Sequence, residues 1–149
     1  MQLLPLMNIT VELEEAVSVG PTPVGEVRLI RFVSGTFEGD ELRGRLLPGG
    51  TDWQQVRADG VLEIRAHYLL QTEHGETIEV ISEGLRDVAP DVSARMARGE
   101  TVDPAEYYFR THVRLRTASE RIAHLNRLLA VSFGSRQARS VHVRVFAVP

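Results

Sequence analysis

The chain has 149 residues, seventeen Lys and Arg against twenty Asp and Glu, a formal net charge of −3, five histidines and no cysteine. That length is one domain's worth, 1–149, and buries roughly two-thirds of the unfolded chain's surface without disulfides or metal. The lack of cysteine excludes zinc-finger, thioredoxin-like, thiolate-metal and cysteine-nucleophile chemistry, and interleaved charges of both signs leave no basic face for nucleic acid.

The start, Met1 to Met7, is apolar but too short for a signal h-region and has no basic residue before it. No run approaches the ~20 apolar residues of a membrane span. A cytoplasmic protein without a membrane or nucleic-acid partner is therefore expected. The three arginines between Arg136 and Arg144 stand in a Val-rich alternating run and read as a solvated strand edge.

Period-two alternation dominates from there. Ile9, Val11 and Leu13 alternate with Thr10, Glu12 and Glu14. Val27, Leu29 and Arg31 alternate with Arg28, Ile30 and Phe32, so this second strand reads as covered on both faces. Between them, Gly20-Pro21-Thr22-Pro23 predicts a turn or crossover that no regular element runs through. Thr36-Phe37, the turn Gly39-Asp40 and a short strand Leu42–Leu47 follow, stopped by Pro48-Gly49-Gly50.

After Asp59-Gly60 a long strand runs from Val61 to about Thr72, and Glu73-His74-Gly75-Glu76 turns it back into an antiparallel strand over Thr77–Ser82. Asp91–Arg98 predicts one or two helical turns, with Gly99 as the stop. Strands are predicted over Tyr107–Thr117 and Ser140–Val148. Ser119–Leu129 reads either as a helix or as one helical turn feeding a strand over Arg127–Phe133. Seven or eight strands joined by tight turns, with one or two short helices, predict an all-β antiparallel barrel of about eight strands. Closure removes the long exposed edges that such strands would otherwise present.

Candidate chemistry falls on three segments. On the long strand, Glu63, Arg65 and His67 share the face opposite Leu62, Ile64, Ala66 and Tyr68; they face either water or a lumen in which they form a charged relay. Asp52-Trp53, just past the Gly-Gly turn, either floors a pocket and presents a carboxylate or merely caps a turn and plugs the barrel end. Tyr108, Arg110 and His112 share one face of a late strand, where they hold an anion or enolate oxygen or else lie on an exposed edge. No His-x-His or His-x-x-x-His spacing occurs among the histidines, so no metal site is expected. The absence of Gly-x-Ser-x-Gly, Gly-x-Gly-x-x-Gly and Walker patterns argues against a hydrolase triad and nucleotide cofactors, and no cofactor is expected.

Several motifs occur together: Gly35-Thr36-Phe37-Glu38-Gly39, Leu42 through Gln54 with its Pro48-Gly49-Gly50-Thr51-Asp52-Trp53-Gln54 block, Asp59-Gly60-Val61, Tyr107-Tyr108-Phe109-Arg110-Thr111 and Leu125-Asn126-Arg127. On these the chain resembles the domain-of-unknown-function 3237 family, from about Met7 to the C-terminus. The resemblance implies a compact barrel of the allene-oxide-cyclase and dirigent type that holds hydrophobic or aromatic ligands in its lumen, often as a homo-oligomer. It lends no reaction. The family pattern has Arg-Tyr where this chain has His67-Tyr68, Pro where it has His112, and Trp-Leu-Asn where it has His124-Leu125-Asn126. If those positions share a cavity, this chain has placed three imidazoles there, suited to proton transfer.

The expectation is thus a cofactor-independent lyase, isomerase or cyclase acting on an aromatic or polyketide-like carbonyl compound. His67 or Asp52 moves a proton, Arg110 and Tyr108 hold the substrate oxygen, and Trp53, Tyr68, His112, His124 and Glu63 line the ligand. The alternatives are a barrel that binds a metabolite without converting it, and a homo-oligomeric interaction protein whose lumen is filled by Tyr68, Phe109 and Phe133.

Overall fold

A computed structural model describes residues 1–149. Ten strands form one antiparallel sheet: β1 (Leu4–Leu13), β2 (Val17–Thr22), β3 (Gly25–Glu38), β4 (Arg43–Leu46), β5 (Thr51–Val56), β6 (Leu62–Thr72), β7 (Thr77–Asp87), β8 (Tyr108–Thr117), β9 (Leu129–Arg136) and β10 (Ser140–Val148). The sheet closes because β1 pairs with β10 on one edge and with β3 on the other. Strands β4 and β5 occupy one position in the ring, since both lie between β3 and β6. The result is a closed antiparallel barrel of eight staves. No helix is long and apolar enough to cross a membrane.

The alternation read from the sequence decides which side chains fill the barrel. Along β6, Ile64, Ala66, Tyr68 and Leu70 are buried while Glu63, Arg65, His67 and Leu69 are exposed. One half of the interior is solid. Met7, Ile9, Phe37, Leu42, Leu70, Ile78, Leu125 and Val145 belong to a continuous apolar cluster there. At the other end a small cluster joins Ile64 and Phe109 of the wall to Val92 and Tyr107, from the connection between β7 and β8. That connection carries the helix α1 (Pro90–Ala97), and its Val92, Met96 and Val102 pack toward the barrel end. Pro90 pre-sets the first turn of α1, and Gly99, at φ 82°, ends it in a conformation that favours glycine.

Two expectations need correction. Gly20-Pro21 does not interrupt regular structure: β2 runs through it as a strand on one side of β3, with a register shift between Ser18 and Gly20 and Gly20 at φ 90°. Proline is tolerated there because no further strand needs its missing N–H. The segments around Val27–Phe32 and Thr36-Phe37 are one strand, β3, long enough to pair with β2 and β1 on one side and with β5 and β4 on the other. Of the two readings of Ser119–Leu129, the second holds. A 3-10 turn over Ala123–Arg127 feeds β9.

The Pro48-Gly49-Gly50 block has a physical reason. It breaks the stave shared by β4 and β5, and a Cβ on Gly50 would lie 2.7 Å from Tyr68 Cβ and 2.8 Å from the Phe32 ring. Phe32 and Tyr68 meet edge to ring in that space, with centroids 5.4 Å apart. Only glycine fits, and the chain then restarts as β5 with Asp52 turned inward.

Candidate functional site

The barrel encloses a cavity of about 50 Å³ between the solid half and the α1 end. Its walls include Phe32, Ile64, Tyr68, Phe109 and Val141, and its polar lining is Asp52, Gln54, Arg86, Arg136 and the hydroxyls of Ser82, Thr111 and Ser132. The space is roughly that of three or four water molecules.

Asp52 sits on β5 opposite Ala66 of β6 and Ile30 of β3. Gln54, two residues along the same inner face, donates from Nε2 to Asp52 Oδ2 at 2.8 Å and accepts from Arg28 Nη2 at 2.7 Å. The other carboxylate oxygen, Asp52 Oδ1, is buried and has no hydrogen-bond partner. Burial pushes the Asp52 carboxyl up from 3.8 to about 6, against the opposing pull of Gln54, the Arg65 backbone, Arg136 and Arg28. Burial also raises the Tyr68 phenol, aided by the Asp52 charge, so Tyr68 stays protonated.

Two guanidinium groups line the cavity with this single carboxyl, and a third lies behind Gln54. Arg86, on the inward face of β7, has a buried Nε with no partner, and desolvation lowers it to about 10. Arg136, at the end of β9, is lowered by desolvation as well and uses its Nε on Gln137 O at 2.8 Å. Arg28 also has a buried, unpartnered Nε. Across the wall from them, Ser82 of β7 donates to Thr111 Oγ1 of β8 at 2.7 Å, and Thr111 and Ser132 of β9 are 2.5 Å apart. This rung of three hydroxyls crosses three neighbouring strands. Phe109 packs over Gly134 of β9, where an added Cβ would lie 2.8 Å from three ring atoms.

Of the nine residues singled out from the sequence, the structure brings Asp52 and Tyr68 into this cavity and leaves the other seven outside it. Trp53 is the chain neighbour of Asp52 and therefore points outward, 40% exposed, rather than plugging the barrel. His67 lies on the outer face of β6 with its side chain 59% exposed, and its Nε2 is 2.9 Å from Glu79 Oε2. Glu63, on the same outer face, pairs with Arg57 at 3.6 Å. Tyr108 and Arg110 are outside too; the Arg110 guanidinium stacks 4.5 Å from the Phe133 ring centre and 5.3 Å from that of Tyr108. His112 is exposed on β8. His124 stands in the 3-10 turn, 3.4 Å from Glu41. The three imidazoles do not share a cavity, and no cluster of three or more His, Asp or Glu side chains is placed to hold a metal ion. Phe133 likewise faces out, so it does not fill the lumen.

Sequence reasoning missed Arg28, Gln54, Arg86, Arg136 and the hydroxyl rung. A signal was present at Thr111, which stands in the inward register of β8 among Phe109, Val113 and Leu115.

The sequence profile of the family described as "Protein of unknown function (DUF3237)" matches residues 1–148. The chain belongs to that family. Curated relatives include a UPF0311 protein of Clostridium acetobutylicum, 31% identical over 144 residues, or 96% of this chain and 91% of the relative. A UPF0311 protein of Rhodopseudomonas palustris is 31% identical over 143 residues, covering 96% and 94% of the two chains. Among solved structures, a β-barrel-like protein of Acinetobacter baumannii superposes with a TM-score of 0.86 at 33% identity, covering 99% of this chain and 96% of that one. A Penicillium herquei protein described as an enzyme has a TM-score of 0.71 at 20% identity over 97% and 93% of the chains, a likeness of fold alone.

Proposed function

We propose that this DUF3237 barrel is a cofactor-independent acid–base enzyme of lyase, isomerase or cyclase type, acting on a carbonyl compound whose reacting end enters the cavity. The observation that carries the reading is Asp52: a carboxyl with one oxygen buried and unpartnered, titrating at about 6 beside apolar walls. A general base works best when its pKa lies near the operating pH. Asp52 takes a proton from the carbon beside the carbonyl, and the electron pair moves to the carbonyl oxygen. The positive field of Arg86, Arg136 and Arg28 stabilises that oxygen's charge. Return of the proton from Asp52 at a different atom gives an isomer. Departure of a group from the β-carbon with its electron pair instead gives elimination to the unsaturated carbonyl. In an unsaturated substrate, a hydroxyl of the same compound adds to the β-carbon while Asp52 takes its proton, and return of that proton to the carbon beside the carbonyl completes the ring.

The test uses a panel of 1,3-dicarbonyl and 2-oxo compounds in deuterium oxide. The protein is expected to catalyse deuterium uptake beside the carbonyl of at least one of them, and Asp52→Asn to lose that activity while remaining folded. Uptake by Asp52→Asn at the wild-type rate would overturn the assignment.

The exposed Trp53, Leu85, Tyr108 and Leu129 on the outer wall support self-association as a further part of this reading. Light scattering coupled to size exclusion tests it, and a monomer at every concentration would remove it.

A further inference from the structure

We infer that Arg86 and Arg136 form a carboxylate subsite, so that the barrel's ligand is a small organic acid whose carboxylate enters the cavity beside Asp52. This rests on the reading of the lumen as the ligand site, but not on proton transfer by Asp52.

Charge is the first argument. Asp52 is the one acidic residue of the lining, facing Arg86 and Arg136 with Arg28 just behind Gln54. None of the three arginines is hydrogen-bonded to it; Gln54 is its side-chain donor. Buried charges are ordinarily paired, because an unpaired one loses its hydration without compensation. A lumen with this excess of guanidinium is complete only when it holds an anion.

The unused donors are the second argument. Arg86 Nε and Arg28 Nε are buried without partners. Arg136 turns only its Nε to the chain, on Gln137 O. A guanidinium presents its N–H groups as a flat fork that matches two carboxylate oxygens.

Size decides between anions. About 50 Å³ accommodates a carboxylate and one or two carbons, and Phe109, Ile64 and Val141 line that same space. Those walls are apolar, so they favour a short hydrocarbon stem next to the acid group. A phosphate ester, whose tetrahedral head carries two more oxygens than a carboxylate, is bulkier than this space.

The experiment is calorimetric titration of the full chain with formate, acetate and propionate, each against its neutral amide, and with inorganic phosphate. The acids are expected to bind at least about tenfold more tightly than their amides. Arg86→Met should lower acid affinity by about tenfold or more and, without ligand, raise Tm, because it removes an unpaired buried charge. Arg136→Gln should weaken the acids in the same way. Asp52→Asn should strengthen acid binding by removing a like charge. Equal affinity for acid and amide, no effect of Arg86→Met on acid binding, or tighter binding of phosphate than of any carboxylate would each overturn the inference. If the acids bind as stated while Asp52→Asn still catalyses deuterium uptake, the subsite stands and the proton-transfer reading fails. If the acids do not bind but uptake depends on Asp52, the reverse holds.

Discussion

Gln54 and Asp52 lie two residues apart on the inner face of one strand, and the 2.8 Å hydrogen bond between them runs along the strand rather than across it. Because Gln54 also accepts from Arg28, its amide is fixed with the NH2 toward Asp52 and the oxygen away from it. That orientation stabilises the ionised carboxylate. In Gln54→Leu the donor is gone and burial is unopposed by it, so the Asp52 carboxyl should rise further above its value of about 6. Carbonyl carbon chemical shifts followed through a pH titration measure this directly. A carboxyl unchanged or lowered in Gln54→Leu would show that the hydrogen bond does not set it.

The raised Asp52 carboxyl also ties stability to pH. Its folded value of about 6 lies above the unfolded value of 3.8, so the folded state holds the proton more tightly. The stabilisation is fully present below about 4, and it is lost as pH rises through about 6. The full difference corresponds to up to about 3 kcal/mol. Asp52→Asn cannot ionise. The stability of the variant relative to wild type should therefore climb between pH 4 and 7 and level off above, as read by urea denaturation at a series of pH values.

The rung of Ser82, Thr111 and Ser132 is coupled through its middle member. Thr111→Val keeps the shape and leaves two buried hydroxyls without their partner, which should cost about 2 kcal/mol or more. Adding Ser82→Ala and Ser132→Ala should recover much of that loss, since the orphaned groups are then gone. Chemical denaturation of the single and triple variants gives the comparison. A triple variant less stable than the sum of its parts would assign the hydroxyls another role.

His67→Ala should be nearly silent. The side chain is on the outer wall, and Glu79 keeps Arg116 as a partner when the imidazole is removed. An exposed ion pair of this kind contributes about 1 kcal/mol or less. The melting temperature should move by a few degrees at most, and carboxylate binding in the lumen should not change.

Most of the barrel can be read from alternation because a strand with one wet face writes its burial into every second residue. Ile64, Ala66, Tyr68 and Leu70 on β6 are the plain case. The site is less legible for the same reason: at an inward polar position the pattern is broken, and a broken pattern looks like a loop or a solvated edge. Arg136 read as an edge arginine, although it reaches the cavity. Asp52 was legible through the Gly-Gly break before it, but Trp53 beside it could not also be internal, since neighbours on a strand face opposite ways. The histidines were singled out for their chemistry, and chemistry alone does not say which side of a wall a residue occupies. Arg28 and Arg86 reveal themselves only once the register places β3 and β7 against the same lumen.

The pairing of β1 with both β3 and β10 has a consequence for biosynthesis. As the chain emerges from the ribosome, one side of β1 is satisfied as soon as β3 appears, but its other side waits for the last strand to be made. Throughout that interval a row of unpaired peptide groups flanked by apolar residues is open to any neighbouring nascent chain. Closing the final seam is a long-range step and hence a slow one. Yield in the cell should therefore respond to translation speed and chaperone supply more than the stability of the finished barrel would suggest.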